Sequence, residues 1–210
     1  MQSLQLSLES GNSPEVMEKL SLPDAEIFIM PKFLSSTCAD KHFDALLTQT
    51  PWQQDNLNFG GKVVPIPRLQ AWYGDKNSHY GYSGLALRPL PWTPLLQELK
   101  GSIELCSNAK FNSVLLNYYR HGQDSVAWHS DDEKELGNEP VIASLSLGVT
   151  RRFELKHRFR KGIKSFCELS HGSLIVMGKG VQQNWLHQVP KQPEIQSGRI
   201  NLTFRKITTP

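Results

Sequence analysis

Cysteine is scarce in this chain: Cys38, Cys106 and Cys167 are the only three in 210 residues, far apart and in no paired motif. An odd, scattered set gives neither a disulfide framework nor a zinc knuckle. Long apolar runs are missing too. Nothing approaches the roughly 18 consecutive apolar residues of a membrane span, and the opening MQSLQLSLESGNSPEV has no basic start ahead of an apolar block. No secreted or membrane-embedded protein is expected. The expected compartment is a reducing cell interior, cytoplasmic in a bacterium and with a nuclear location open in a eukaryote. Charge of one sign is in short supply, since 23 basic against 20 acidic residues leave a net +3, too mild by itself to predict a polyanionic partner. Repeats and low-complexity segments are absent. What remains is a length and a hydrophobic content of 39% that suit one globular domain, expected to be a monomer.

Periodicity supplies the elements. From Ser36 to about Gln49, Ala39, Phe43, Leu46 and Leu47 share one helical face, with Pro51 just past the end. Thr93 as a cap and Pro94 in the first turn open a second helix that buries Leu95, Leu96, Leu99 and Ile103. Between the helices, residues 51–91 are rich in Pro, Gly and aromatics and predict short strands and loops. After Phe111 come seven strand-like segments, FNSVLLNYY, VIASLSLG, RRFELKH, SFCEL, GSLIVMG, NWLHQV and RINLTFRKI, divided by turn signals such as HGQD and ELGNEP. That succession predicts an α+β fold: a β-sandwich or jelly roll with both helices packed on one outer sheet face. Residues 1–25 are expected to be loose and 26–210 to form the domain.

Chemistry gathers at VAWHSDDEKELG, which sets Asp131, Asp132, Glu133 and Glu135 behind His129. In a strand, residues two apart face the same side, so His129 and Asp131 would present an imidazole nitrogen and a carboxylate to one point. An exposed histidine beside solvated acids is the ordinary alternative. A third ligand has to come from far along the chain, and spacing does not choose between His171 and His187. In RINLTFR, Arg199, Asn201, Thr203 and Arg205 alternate with Ile200, Leu202 and Phe204. If the polar face lines a cavity rather than solvent, two desolvated guanidiniums need anions, and a dicarboxylate offers one to each. Asn117 and Tyr119, two apart, offer an amide and a phenol to the same space. Two histidines, one carboxylate and open positions are the ligand set of non-haem Fe(II) oxygenases.

Five motifs in order, NYYRHGQDSVAWHSDDE, PVIASLSLG, HGSLIVM, WLHQVPK and RINLTFRKI, closely resemble the AlkB family of Fe(II)- and 2-oxoglutarate-dependent dioxygenases. PRLQAWYGD and YGYSGLALRPLPW resemble the nucleotide-recognition lid of its nucleic-acid-repairing members. The resemblance implies a double-stranded β-helix with a lid over residues 52–90 and a jelly-roll core over 111–207. It implies His129, Asp131 and His187 as iron ligands, and Arg199 and Arg205 on the two carboxylates of 2-oxoglutarate, assisted by Asn117, Tyr119 and Asn201. The implied activity is repair of DNA alkylation damage: oxidative demethylation of bases such as 1-methyladenine or 3-methylcytosine, using dioxygen and releasing formaldehyde.

The same resemblance places Asp132 and Glu133 at the edge where a cationic methylated base enters, and Tyr82 against the flipped base. Trp72, Tyr73 and Tyr80 would be lid walls, and Phe59 in NFGGK an apolar finger filling a duplex gap. The run RRFELKHRFRKGIK would grip phosphates through Arg151, Arg152, Arg158 and Arg160; a solvated hairpin is its plain alternative. The loop VPKQPEIQSGR departs from members suited to duplex DNA by lacking a basic cluster, which leaves strand preference and DNA against RNA open. Methylated RNA or a protein side chain is the alternative substrate, and a non-catalytic nucleic-acid-binding module or a zinc hydrolase the alternative class. A zinc hydrolase gives Arg199 and Arg205 no task.

Overall fold

A computed structural model describes residues 17–76, 80–82, 85–87 and 89–208; the side chains of residues 59, 80–82 and 85–87 lie outside that description. The chain runs through β1 (Glu18–Leu20), β2 (Ile27–Met30), helix α1 (Ser36–Gln49), the hairpin β3 (Asn56–Phe59) and β4 (Lys62–Pro65), then β5 (Leu69–Gly74). A small hairpin of β6 (Tyr80–Tyr82) and β7 (Leu85–Leu87) leads to helix α2 (Pro94–Ser107). There follow β8 (Ser113–Tyr119), β9 (Val126–His129), β10 (Ile142–Gly148), β11 (Arg151–His157), β12 (Lys164–Leu169) and β13 (Ser173–Met177). A four-residue helix α3 (Val181–Asn184) then opens directly into β14 (Trp185–Val189), and β15 (Arg199–Arg205) closes the fold.

Antiparallel pairing builds a seven-stranded sheet in the order β1-β2-β13-β10-β15-β8-β5 and a four-stranded sheet in the order β12-β11-β14-β9. This is the expected jelly roll. Both helices lie on the outer face of the larger sheet. Ser35 caps α1 by accepting from the Cys38 N–H, and Thr93 caps α2 by accepting from the Leu96 N–H, each cap being worth about 1 kcal/mol.

Parity along each strand decides what lies between the sheets. On β15, Ile200, Leu202 and Phe204 turn toward the helices and join Leu46, Leu96, Leu99 and Ile103 in one apolar core. Arg199, Asn201 and Thr203 turn the other way and are buried as well, so the polar face of β15 is interior. A second core sits between the sheets, where Tyr119, Ile142 and Met177 of the large sheet meet Phe153, Leu155 and Trp185 of the small one. The space left beside that core is lined by the inward polar groups.

Four expectations need correcting. Asp131 is not on a strand with His129: β9 ends at His129, and the carboxylate stands on the loop beyond it. The four-residue strand VAWH stands apart from the seven longer segments, so eight rather than seven strands follow Phe111. The large sheet also reaches outside residues 111–207, because β5 pairs with β8 over six residues and β1 pairs with β2 from Glu18 onward. The segment from residue 18 is therefore built into the sheet rather than loose.

The turn after β8 shows how the ends of strands are secured. Asp124, 2% exposed, accepts from the Arg120 backbone N–H and from its Nε and Nη2 at 2.7–2.9 Å. Burial alone would raise this carboxyl, but the Arg120 contacts outweigh it and hold the pKa below the ordinary carboxylate range. The stabilisation is full above the unfolded-state value near 4 and fades as the pH falls through the lower folded value. Asp124→Asn is expected to cost about 1–3 kcal/mol at neutral pH, with the gap to wild type narrowing as the pH falls below the unfolded-state value, as measured by urea unfolding across that range.

Candidate active site

His129, Asp131 and His187 come together at one end of the space between the sheets, their ligand atoms all within 4.8 Å of one another. The register of the small sheet makes the meeting possible, because His187 on β14 sits directly opposite His129 on β9, with their ring centroids 4.4 Å apart. A bulge between His187 and Val189 bends the strand just beyond this pair. Asp131 reaches the same point from its loop, placing Oδ2 3.7 Å from His187 Nε2. His171 is elsewhere: its Nδ1 accepts from the Gly148 N–H and its Nε2 faces Asp40. Geometry thus selects His187 over His171.

The protonation states suit a cation. Burial, added to the neighbouring His129, drives His187 down to about 3 despite the opposing pull of Asp131, so its imidazole is neutral with a lone pair to give. Asp131 pays the cost of burial but is held below the usual carboxylate range by Arg205 and the two histidines. Arg205 Nη2 donates to Asp131 Oδ1 at 2.6 Å, which leaves Oδ2 as the oxygen facing the histidines.

Farther along the cavity stands Arg199, 1% exposed. Its Nη2 donates to Ser146 Oγ at 2.8 Å and its guanidinium lies 5.3 Å from the Tyr119 ring centre, while Nε and Nη1 are buried with no hydrogen-bond partner among the described residues. Burial lowers its pKa only to about 10, so it remains a cation in want of an anion. Asn117 accepts at Oδ1 from Arg68 Nε at 2.8 Å, and because arginine only donates, the amide N–H groups are turned the other way. Asn201 lines the same wall with its Nδ2 committed to Ser144 Oγ and the Leu145 carbonyl.

The expected phosphate-gripping run divides by parity. Arg151 is fully buried: it donates to Gln192 Oε1 and to the carbonyls of His121, Asp124 and Pro190, so it is a tie between two loops and not a surface contact. Those loops are pressed together, and a Cβ on Gly122 would collide with the Gln192 carbonyl. Arg152 is exposed but pairs with Glu168 and lies over the Phe166 ring at 4.5 Å. Arg158 donates to Asp132 Oδ2 at 2.9 Å, and Arg160 to Asp24 at 2.6 Å. Much of the run's charge is thereby answered within the protein. Asp132, expected to face a cationic base, meets Arg158 at the rim of the site, and Glu133 follows it, half-buried.

Of the aromatic residues, Trp72 lies on the face of β5 shared with Gln70, opposite Leu115 of β8. Tyr73 is 4% exposed in the core under the helices, so it is no lid wall; alternation along β5 turns it away from Trp72. The side chains of Phe59, Tyr80 and Tyr82 lie outside the described residues. Their backbones belong to the β3–β4 and β6–β7 hairpins.

A model of the 2OG-Fe(II) oxygenase superfamily matches residues 26–205. The alpha-ketoglutarate-dependent dioxygenase alkB homolog 3 of Mus musculus is 38% identical over 97% of this chain and 76% of its own length. The chain belongs to the AlkB family of 2OG-Fe(II) oxygenases. The DNA oxidative demethylase ALKBH2 of Bos taurus is 40% identical over 70% of this chain and 55% of its own length. Among solved structures, OsALKBH1 superimposes with a TM-score of 0.60 at 17% identity, over 90% of this chain and 100% of that one. A prolyl hydroxylase of Trichoplax adhaerens gives a TM-score of 0.59 at 14% identity, covering 86% and 83%. These two show the shared jelly roll.

As an AlkB-family enzyme the protein is a dioxygenase using Fe(II), 2-oxoglutarate and dioxygen, and its own groups fit those partners. Two imidazoles and one carboxylate converge as a mixed nitrogen and oxygen set, and the Arg199 nitrogens that lack a hydrogen-bond partner among the described residues mark a seat for a carboxylate. Arg199 and Arg205 lie six residues apart on β15, roughly 20 Å along the strand, so their side chains must lean toward each other to share one small diacid. Gln182, Arg68, Ser144 and Ser146 also contribute to the site. The two serines alternate with Ala143, Leu145 and Leu147 on β10 and were legible from that parity; nothing in the sequence marks Gln182 or Arg68.

Proposed function

We propose that this AlkB-family dioxygenase is an oxidative demethylase of N-alkylated DNA bases of the 1-methyladenine and 3-methylcytosine type. The observation that carries the reading is the similarity to proteins named as DNA oxidative demethylases, in Bos taurus and at 38% identity in Homo sapiens. Iron held by His129, Asp131 and His187 would activate dioxygen, one oxygen atom going to 2-oxoglutarate as it becomes succinate and CO2 and the other to the N-methyl carbon, whose hemiaminal then breaks down to formaldehyde and an intact base.

The protein's part is to hold and to exclude. Neutral His187 gives its lone pair, Arg205 keeps Asp131 ionised, and Arg199 with Ser146 receives a carboxylate of the cosubstrate. Asp132, already met by Arg158, and Glu133 stand at the rim where a cationic methylated adenine or cytosine would enter. Because the ligands lie between two sheets, a target base must leave the duplex or already be single-stranded. In this reading Phe59, Trp72, Tyr80 and Tyr82 meet the displaced base and its neighbours, and the exposed Lys161 and Lys164 remain to meet phosphates. Between His187 and Arg199 the single basic residue is Lys191, which favours single strands, DNA or RNA, over duplex.

The test is formaldehyde release from single- and double-stranded DNA, and from matched RNA, each carrying 1-methyladenine, with and without Fe(II) and 2-oxoglutarate. Release from DNA that requires both additions, faster on single strands, is expected. Release from RNA alone would reassign the substrate, and consumption of 2-oxoglutarate without release from either would move it outside nucleic acid.

A further inference from the structure

The loop that carries Asp131 has no strand to fix it. β9 stops at His129, so Ser130, Asp131 and Asp132 stand beyond the ladder that sets the histidines. Two side chains from other elements hold all three. Gln182 in α3, 2% exposed, places Oε1 2.9 Å from the Asp131 backbone nitrogen. Arg158, just past β11, uses Nη1 to reach Ser130 Oγ at 3.3 Å, Asp132 Oδ2 at 2.9 Å and the backbone carbonyl of Gln182 at 3.1 Å. The two holders are therefore bonded to each other as well as to the loop.

We propose that Gln182 is a positioning residue for the metal, fixing the backbone of Asp131 and coupling that ligand to His187, five residues farther along the same segment. The proposal rests on the assignment of His129, Asp131 and His187 as metal ligands. The orientation of the Gln182 amide is decided by chemistry: the Asp131 N–H requires an acceptor, and Gln182 Nε2 points instead at Met177 Sδ, 3.7 Å away, a weak acceptor. The segment from Gln182 to His187 is itself anchored, since Asn184 Nδ2 donates to the Asp24 carbonyl and Trp185 Nε1 to that of Pro23. One anchored stretch thus carries His187 directly and Asp131 through a hydrogen bond, so the separation of the two ligands is set once. Arg205 grips the far carboxylate oxygen of Asp131, whereas Gln182 holds its backbone. Metal sites tolerate errors of a few tenths of an ångström, and groups that orient ligands change affinity by about 10–100-fold when removed.

The experiment measures Mn(II) affinity by isothermal titration on the full chain with saturating 2-oxoglutarate, beside amide exchange in the peptide spanning Ser130–Asp132 and in β14. Gln182→Met keeps volume and removes the oxygen; Gln182→Glu restores an oxygen acceptor at similar reach. For the methionine variant, Mn(II) binding about 10-fold weaker or more is expected, with faster exchange at residues 130–132 and unchanged exchange in β14. The glutamate variant should recover both slow exchange and tight binding. Faster exchange in Gln182→Met with wild-type Mn(II) affinity overturns the proposal. If Gln182→Met fails to fold, the glutamate variant decides: slow exchange with lost metal affinity overturns it, and slow exchange with retained affinity upholds it. Asp131→Asn is the control, because wild-type Mn(II) affinity there would break the ligand assignment itself rather than the role of Gln182.

Discussion

Asp131→Asn is expected to reduce formaldehyde release to the level of buffer while the protein stays folded. The carboxylate is the one anionic donor among the three ligand side chains, and an amide in its place brings no negative charge to a divalent cation. Asparagine keeps the volume and can still accept from Arg205 Nη2, so the packing at this nearly closed position survives. Asp131→Ala would blur the result. It removes a carboxylate paired with a largely buried guanidinium, and breaking a buried pair costs about 3–5 kcal/mol, enough to confuse loss of metal with loss of fold. Turnover by folded Asp131→Asn within tenfold of wild type would show that the carboxylate is not a ligand.

The second large effect concerns Arg199, where activity and stability should move in opposite directions. Its Nε and Nη1 are desolvated and unanswered among the described residues, so the free enzyme carries a buried cation waiting for an anion. Charge-assisted hydrogen bonds are worth about 1.5–3 kcal/mol, so Arg199→Met should raise the 2-oxoglutarate concentration needed for half-maximal rate by roughly 10–100-fold. The same change removes a buried charge that Ser146 and the Tyr119 ring offset in part and fills its place with an apolar chain, so thermal stability of the free protein should hold or rise. Succinate formation against 2-oxoglutarate concentration measures the first effect, and melting with and without 2-oxoglutarate the second. An unchanged cosubstrate requirement would place the carboxylate elsewhere.

The parts of the architecture that depend on local periodicity were the legible ones. Both helices begin at their caps and α1 ends just before Pro51, while the alternation in RINLTFR gave a strand with one apolar and one polar face and left open the burial of the polar face, which the structure shows to be interior. Errors arose where counting replaced parity. RRFELKH reads as basic, yet Arg151, Phe153, Leu155 and His157 share the inward face, and only Arg152, Glu154 and Lys156 look out. Applied there, the rule used on β15 would have put Arg151 inside. Asp131 shows a different limit: its place near the histidines was inferred from a strand that ends two residues too early, and the loop reaches the site because Gln182 and Arg158 hold it. Contacts between residues fifty positions apart leave no trace in spacing.

Pro23 and Asp24 precede the first residue matched by the family model, yet they receive Trp185 Nε1, Asn184 Nδ2 and Arg160, and Asp24 lies 3.5 Å from His157. The boundary drawn by similarity is therefore not the boundary of cooperative folding. A shortened version beginning at Glu26 would remove the acceptors of Trp185 Nε1 and Asn184 Nδ2 at the start of the strand that carries His187, so trimming residues 20–25 would loosen one end of that strand without touching any residue of the catalytic centre.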